Sequence, residues 1–302
     1  MDRSRRRFLQ QSFLAVAGSA AAPALARIAN DPAHLVLLTT NDTHARLDPF
    51  AENDARYPGL GGIDRRARLV NRIRSAHPHV LVLDAGDMFA GARTCTASRG
   101  VPEVEAMSAL GYDAGTIGNH EFDNGLTDLA TALDHAGFPL VNANLENRGT
   151  PVEGSWRPSI VRERGDFRVG IFGLCCPLEG MVPPRHREGI AILDTLETAR
   201  TVSTALRAAG CNLIVCLSHL GYTALNEPSD RELARAAPEI DIIVGGHSHT
   251  FLDEPVWTEH PRHPPTLITQ QGWAGVRLGR IDVRIDANRE VAALPTFLPV
   301  AD

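Results

Sequence analysis

An α/β fold with helices covering the faces of a sheet is what this sequence predicts, on three observations. Short apolar runs of strand length recur along the chain. Amphipathic helical patterns alternate with them. The runs end, one after another, in polar side chains of a restricted kind.

The first run, HLVLLTT (34 to 40), has an unbroken apolar centre from Leu35 to Leu38, as a strand buried on both faces does, and it leads into Asn41, Asp42, Thr43 and His44. Ile63, Ala67, Val70 and Ile73 then fall on one face of a helix. VLVLD (80 to 84) is the second run and delivers Ala85, Gly86 and Asp87. A third, from Tyr112 to Ile117, delivers Asn119 and His120, with Glu121 and Asp123 close behind. Leu126, Leu129, Ala130 and Leu133 form the next helical face. A further helix carries Ala199, Val202, Leu206 and Ala209; it begins at Asp194 with Glu197 three residues on, close to a capping box, and stops at Gly210. NLIVCLS (212 to 218) delivers His219, and IDIIVGG (240 to 246) delivers His247 and His249. HPRHPP (260 to 265) reads as a turn between late strands. No repeat or linker divides the chain after Ala26, so one domain is expected.

Composition bounds the function. The chain has 302 residues, 43% hydrophobic and 22% charged, enough to bury a substantial core. All 30 basic residues are Arg, so Arg abundance does not mark a phosphate site. The formal net charge is −6, and the first 26 residues carry four Arg and one Asp, a local +3, which leaves −9 for the remainder. Such a surface repels a polyanion and excludes nucleic acid as a partner. Arg3, Arg5, Arg6 and Arg7 precede an apolar stretch from Phe8 to Ala22 and then Ala24-Leu25-Ala26, a cleavage signature. SRRRFLQ (Ser4 to Gln10) resembles the twin-arginine export motif, so residues 1–26 are expected to be a signal read by the twin-arginine machinery, and the protein to be periplasmic or secreted, with an uncleaved N-terminal anchor as the alternative. The five cysteines, Cys95, Cys175, Cys176, Cys211 and Cys216, are odd in number and are expected to be free thiols lying off the motifs.

In open α/β sheets ligands bind beyond the carboxyl ends of the strands, so the polar endings are expected to meet. Together they offer Asp42, His44, Asp87, Asn119, His219, His247 and His249. Singly each has a plainer reading: an Asp after a strand caps a helix, an Asn sits in a turn, a His hydrogen-bonds in the core. Carboxylate oxygen with imidazole nitrogen suits divalent manganese, iron, zinc or cobalt, and seven donors exceed one tetrahedral site. Two ions sharing Asp87 would use them all. For His247 and His249 to face one centre the chain must bend, and Gly245 and Gly246 are expected to permit it.

Asp42-x-His44, GDMFAG (86 to 91), GNHEFD (118 to 123), SHLG (218 to 221) and GGHSH (245 to 249) resemble the five ordered motifs of the calcineurin-like metallophosphoesterases, and in particular the catalytic domain of the 5′-nucleotidase family. LGYDAGTIGNHEFDNG, IDIIVGGHSHT and PTLITQQGWAGVRLGRIDV (265 to 283) are similar over whole phrases, so the likeness runs from about residue 33 to 290. The resemblance implies a four-layer α-β-β-α sandwich of two mixed sheets, the metallophosphoesterase fold, spanning 33–302. It implies that Asp42, His44, Asp87 and His249 hold one divalent ion and Asp87, Asn119, His219 and His247 the other, with manganese, zinc or iron as the metal. It also implies that His120 faces the substrate phosphate beside Asn119, with Asp123 orienting His120 as a catalytic pair, while Glu121 and Phe122 serve packing and support. The reaction implied is hydrolysis of a phosphate monoester, 5′-nucleotidase-like, by in-line attack of a metal-bridging hydroxide.

Relatives of this kind carry a second, C-terminal domain whose aromatic side chains stack the base. Here the last residue, Asp302, follows soon after the closing strands, so a stand-alone catalytic domain is expected, and a nucleotide is one candidate among small phosphate esters. Hydrolysis of a nucleotide-sugar pyrophosphate, a cyclic phosphodiester or a thiosulfonate is the alternative chemistry, and a metal-binding module without turnover the alternative class. Trp273 and Tyr222 lie near the motif loops and are expected to pack at the core or rim; Arg93, Arg185 and Arg187 are expected at the surface.

Overall fold

The computed structural model describes residues 31–89, 99–223, 228–286 and 291–302; the candidate signal, Arg93 and Cys95 lie outside the described residues. In chain order the strands are β1 (His34–Thr40), β2 (Val80–Asp84), β3 (Ala114–Gly115), β4 (Leu145–Glu146), β5 (Ser159–Arg164), β6 (Phe167–Cys175) and β7 (Ala191–Ile192). They continue with β8 (Leu213–His219), β9 (Ile242–Gly245), β10 (Val256–Thr258), β11 (Thr266–Gln270), β12 (Arg277–Ile285) and β13 (Val291–Pro299). The helices are α1 (Ile63–Ala76), α2 (Val101–Leu110), α3 (Leu126–Leu133), α4 (Thr195–Ala208) and α5 (Asp230–Ala236).

Two mixed sheets carry the architecture, ordered β13-β12-β1-β2-β3 and β10-β11-β9-β8-β6-β5, with a small β4-β7 pair aside. Strands β1, β2 and β3 run parallel in the first. In the second, β6, β8, β9 and β11 do so. Because successive side chains of a strand point to opposite faces, β1 divides its residues between two cores. Leu35 and Leu37 meet Leu81, Leu83, Val169, Ile171, Val215 and Val244 between the sheets. Val36 and Leu38 face outward and pack with Val70 and Ile73 of α1 and Leu129 of α3. On the outer face of the second sheet, Phe172, Ile214 and Ile243 pack against Ala199 and Leu206 of α4 and Leu233 of α5. The layers are therefore helix, sheet, sheet, helix, as expected. Strands buried on both faces explain why β1, β2 and β8 read as unbroken apolar runs; each fully buried Leu or Val contributes about 1.5–3 kcal/mol of transfer free energy.

Several expectations shift in detail. The run from Tyr112 to Ile117 pairs only at Ala114–Gly115, since the chain turns away toward Gly118. On α4 the buried face is Thr195, Ala199, Ser203 and Leu206; Ala209 is the exposed C-cap, one position past the helical face. Asp194 caps α4 by accepting from Glu197 N at 2.7 Å. The reciprocal capping box, with both halves present, is instead at α5, between Ser229 and Glu232. HPRHPP does join β10 to β11.

Candidate metal centre

The parallel register fixes where the polar endings fall. Thr40 pairs with Asp84 and Asp84 with Gly115, while Ser218 pairs with Gly245 and Cys175 with His219. The carboxyl ends of both sheets thus open on one edge, and every residue expected there arrives. Asp42, His44, Asp87 and His249 bring their donor atoms within 4.8 Å of one another. Asp87, His219 and His247 form a second such group, so Asp87 is common to both. Among the described residues no third cluster of this kind occurs, and the histidines of HPRHP pair elsewhere: His260 Nε2 lies 2.9 Å from Thr266 Oγ1 and His263 Nδ1 3.6 Å from Glu239.

The backbone at these positions is unusual. Asp42, His44, Asp87, His247 and His249 all have φ between 48° and 69°. For side chains with a Cβ this left-handed region is disfavoured by about 1–3 kcal/mol each, so the surroundings must enforce it. They do so through hydrogen bonds: Asp42 N and His44 N donate to Gly86 O and Asp87 O at 2.9 and 3.1 Å, and His247 N donates to both Asp42 carboxylate oxygens at 3.0 Å. Gly245 and Gly246 do not supply the bend that was expected of them; the histidines carry it themselves. Gly246 is required for space, because a Cβ there would sit 2.8 Å from both Ala85 O and His219 Nδ1.

Glu121 ties three segments together. Its buried carboxylate accepts from Asp87 N at 3.0 Å, Phe89 N at 3.1 Å and Gly118 N at 2.6 Å, the supporting role expected of it. Burial, with the neighbouring Asp87 charge, pushes its pKa up to about 8. For Asp87 burial acts in the same direction, but the imidazoles of His219, His44 and His120 outweigh it and hold the carboxyl below its ordinary value. Burial lowers the pKa of His44 to about 4, leaving a neutral ring with one nitrogen lone pair to offer. His120 differs: its Nδ1 lies 2.8 Å from Asp123 Oδ2, and that bond raises its pKa to about 9.

The arrangement suits a cation. His219 is fully buried and its Nδ1 donates to Ala85 O at 2.7 Å, which turns the Nε2 lone pair into the site. That Nε2 has no hydrogen-bond partner among the described residues, although Asp87 Oδ2 stands 3.0 Å away. Asn119 Oδ1 and His247 Nδ1 face each other at 2.9 Å, as do His44 Nε2 and His249 Nε2. Acceptors crowded about an orphaned imidazole nitrogen and two buried carboxylates fit divalent ions with oxygen and nitrogen ligands.

One residue at the site was not anticipated. The cysteines were expected off the motifs, yet Cys176, immediately after β6, puts its Sγ 3.6 Å from Asn119 Oδ1 and 3.9 Å from His247 Nδ1. FRVGIFGLC (167 to 175) is followed at once by Cys176, as the other runs are followed by their polar endings, and that signal could have found it. Trp273 borders the site, its ring 6.3 Å from His44 and 6.2 Å from His249, at the end of a cluster with Phe50 and Tyr57. Tyr222 packs instead beside the outer face of the second sheet. Arg185 is exposed, and Arg187 Nε donates to Val182 O in its own loop.

Comparison with known proteins agrees with this geometry. Residues 35–251 match the calcineurin-like phosphoesterase family. Snake venom 5′-nucleotidase of Gloydius brevicauda is 36% identical over 225 residues, covering 72% of this chain and 37% of its own length. The trifunctional nucleotide phosphoesterase of Bacillus subtilis is 32% identical over 285 residues, 83% of this chain and 18% of that one. Among solved structures, a 5′-nucleotidase precursor from Thermus thermophilus superposes with a TM-score of 0.80 at 35% identity, over 88% of this chain and 54% of that chain. The chain thus spans about two fifths of the length of the venom enzyme. With the ordered motifs, the four-layer sandwich and a family match over most of its length, the chain belongs to the calcineurin-like phosphoesterases.

Proposed function

We propose that the protein hydrolyses phosphate monoesters, with nucleoside 5′-monophosphates as the substrate class, at a centre of two divalent ions. The observation that carries this reading is Asp87, the one carboxylate common to both groups of donors, with the His120–Asp123 pair beside it. Asp42, His44, Asp87 and His249 would hold one ion and Asp87, Asn119, His219 and His247 the other; manganese, zinc and iron are the candidates. When bound, such a pair supplies Lewis acidity toward the phosphoryl oxygens and a nucleophile available near neutral pH. The chain does the rest. His120 N donates to Asp87 Oδ1 at 2.9 Å, which anchors the His120 backbone to the shared carboxylate. With Nδ1 committed to Asp123, the charged ring presents Nε2–H to a phosphoryl oxygen and stabilises the negative charge that builds in the transition state. Glu121 keeps Asp87 and Gly118 in mutual register. The nucleotide preference draws support from the 5′-nucleotidases among the relatives.

We read residues 33–302 as the catalytic unit and residues 1–26 as a twin-arginine signal, so that the enzyme works in the periplasm or is secreted; replacing Arg5 and Arg6 by Lys should leave the protein in the cytoplasm on fractionation. No helix among the described residues is long and apolar enough to cross a membrane.

A panel on metal-reconstituted protein tests the activity: AMP, an aryl phosphate, a cyclic phosphodiester, a nucleotide-sugar pyrophosphate and a thiosulfonate. AMP should be turned over, and His120→Ala should lower kcat by roughly 10²–10⁴-fold. Metal-loaded protein that hydrolyses no monoester would overturn the reading, and turnover confined to another substrate would reassign it.

A further inference from the structure

We propose that Trp273 is the platform on which the substrate's leaving group rests: the base of a nucleoside 5′-monophosphate, a planar aromatic heterocycle, lies on its indole while the phosphate occupies the metal centre. The inference rests on the activity proposed above and deepens it by naming what reads the base. Trp273 is partly buried at the rim, and its ring lies 6.3 Å from His44 and 6.2 Å from His249, donors to one ion in that reading. The His44 ring also meets His120 at 5.0 Å, so the imidazole that faces phosphate and the indole stand one ring apart. Phe50 and Tyr57 support the indole at 6.0 and 6.1 Å. All four rings approach it tilted, by 31° to 53°, so none of them is stacked flat upon it. A Trp placed for packing alone buries its rings and pairs its N–H. Trp156 does both: it is 7% exposed and its Nε1 donates to Leu145 O at 3.1 Å. The Trp273 N–H donates to nothing among the described residues, which leaves it for an acceptor on the base or ribose.

The loop that carries the indole is fixed to the segment that carries Asp42. On one side Gln271 N donates to Asn41 Oδ1 at 2.8 Å and Asn41 Nδ2 donates to Gly272 O at 2.9 Å. On the other, Ala274 N donates to Asp42 O at 2.8 Å. Ala274 holds φ at 59°, a left-handed value disfavoured for a side chain with a Cβ, so the turn that presents Trp273 is enforced by these bonds. The platform is therefore set in place before a ligand arrives and has little freedom to lose on binding. Because every base has a π-face, stacking of this kind favours nucleotides over base-free sugar phosphates without selecting strongly among the bases.

AMP and ribose 5-phosphate share the ester bond at the ribose 5′ position and differ in the base, so the ratio of their kcat/KM values on the metal-loaded full chain isolates the platform. Trp273→Ala should lower that ratio by about 5–150-fold, chiefly through KM, and Trp273→Phe should restore most of it. An unchanged ratio in Trp273→Ala, which equal losses on both substrates also give, would overturn the proposal while leaving the monoester reading intact. Adenosine supplies an arm that needs no turnover. It should quench the indole fluorescence saturably where ribose does not, and Trp273→Phe should abolish that quenching; quenching that persists in Trp273→Phe would overturn the assignment. Trp257→Phe, at an exposed position of β10, should leave the ratio and the quenching as they were, and loss of the quenching there would place the base elsewhere and overturn the assignment too. Metal-loaded protein that hydrolyses no monoester would sink the proposed activity. Adenosine quenching lost in Trp273→Phe would then still support the platform, and its absence would overturn that as well.

Discussion

Asp87 and Gly118 illustrate how single residues set the site. A Cβ at Gly118 would overlap Asp87 Oδ1 and stand 2.7 Å from His219 Nε2, so only Gly admits both donors. Gly118→Ala should therefore lower kcat on AMP by on the order of 100-fold, because a displacement near 1 Å at a reacting centre costs that much; unchanged kcat would show that the segment relaxes freely. Asp87→Asn removes the charge toward which three imidazoles are turned. Its expected outcome is loss of both ions, with metal content by mass spectrometry falling from two per chain toward none, whereas loss of only one would argue against a shared carboxylate. The donor residues themselves were legible because each follows an apolar run in an ordered motif. Their left-handed backbone was not, since it follows from hydrogen bonds between distant loops such as His247 N to Asp42. Cys176 escaped because a Cys after a buried strand reads first as a small hydrophobe; its place directly behind an apolar run is the one local signal of its position.

Strands buried on both faces announce themselves as apolar runs, and the runs predicted for β1, β2 and β8 lie within a residue of the observed ends. Edge and half-buried elements carry mixed patterns, which is why β5, β12 and β13 and the helices α2 and α5 do not stand out from the sequence. Leu83 belongs to the core between the sheets and is fully buried; Leu83→Ala should cost about 2–5 kcal/mol in denaturant unfolding, and a smaller loss would indicate a core that collapses around the cavity. The β1–β12 pairing also carries a pH-dependent contribution. Asp282 on β12 is desolvated, which alone would raise its pKa, but His34 Nε2 at 2.8 Å and the Arg280 guanidinium at 2.7 Å bring it down to about 2. A carboxyl whose folded pKa lies below its unfolded value contributes stability above the unfolded pKa and loses it as pH falls through the folded one. Between about pH 4 and pH 2 Asp282 should surrender about 2 kcal/mol, and Asp282→Asn should flatten that part of the urea midpoint against pH. Parallel curves for the two proteins would show that the pair contributes nothing measurable.

Across the whole molecule, two sheets present their carboxyl ends on one edge and gather there two buried carboxylates and several imidazoles, a cluster best neutralised by cations. Ions that bind only the folded chain stabilise it by mass action, about 2.7 kcal/mol at a hundredfold excess over Kd for one site. Chelated protein should thus melt roughly 5–10 °C lower than protein with excess zinc or manganese, and equal melting temperatures would count against a site built for metal. From sequence alone came the alternation of strand and helix, the strand-end donors, the family likeness and the acidic balance, because burial on both faces and motif order are written locally. Only the tertiary structure decided that histidines and not glycines carry the bend at 247 to 249, that Ser203 and not Ala209 lies on the buried face of α4, and that Cys176 joins Asn119 and His247. Each of these depends on the register and separation of strands far apart in the chain, distances that local patterns do not encode.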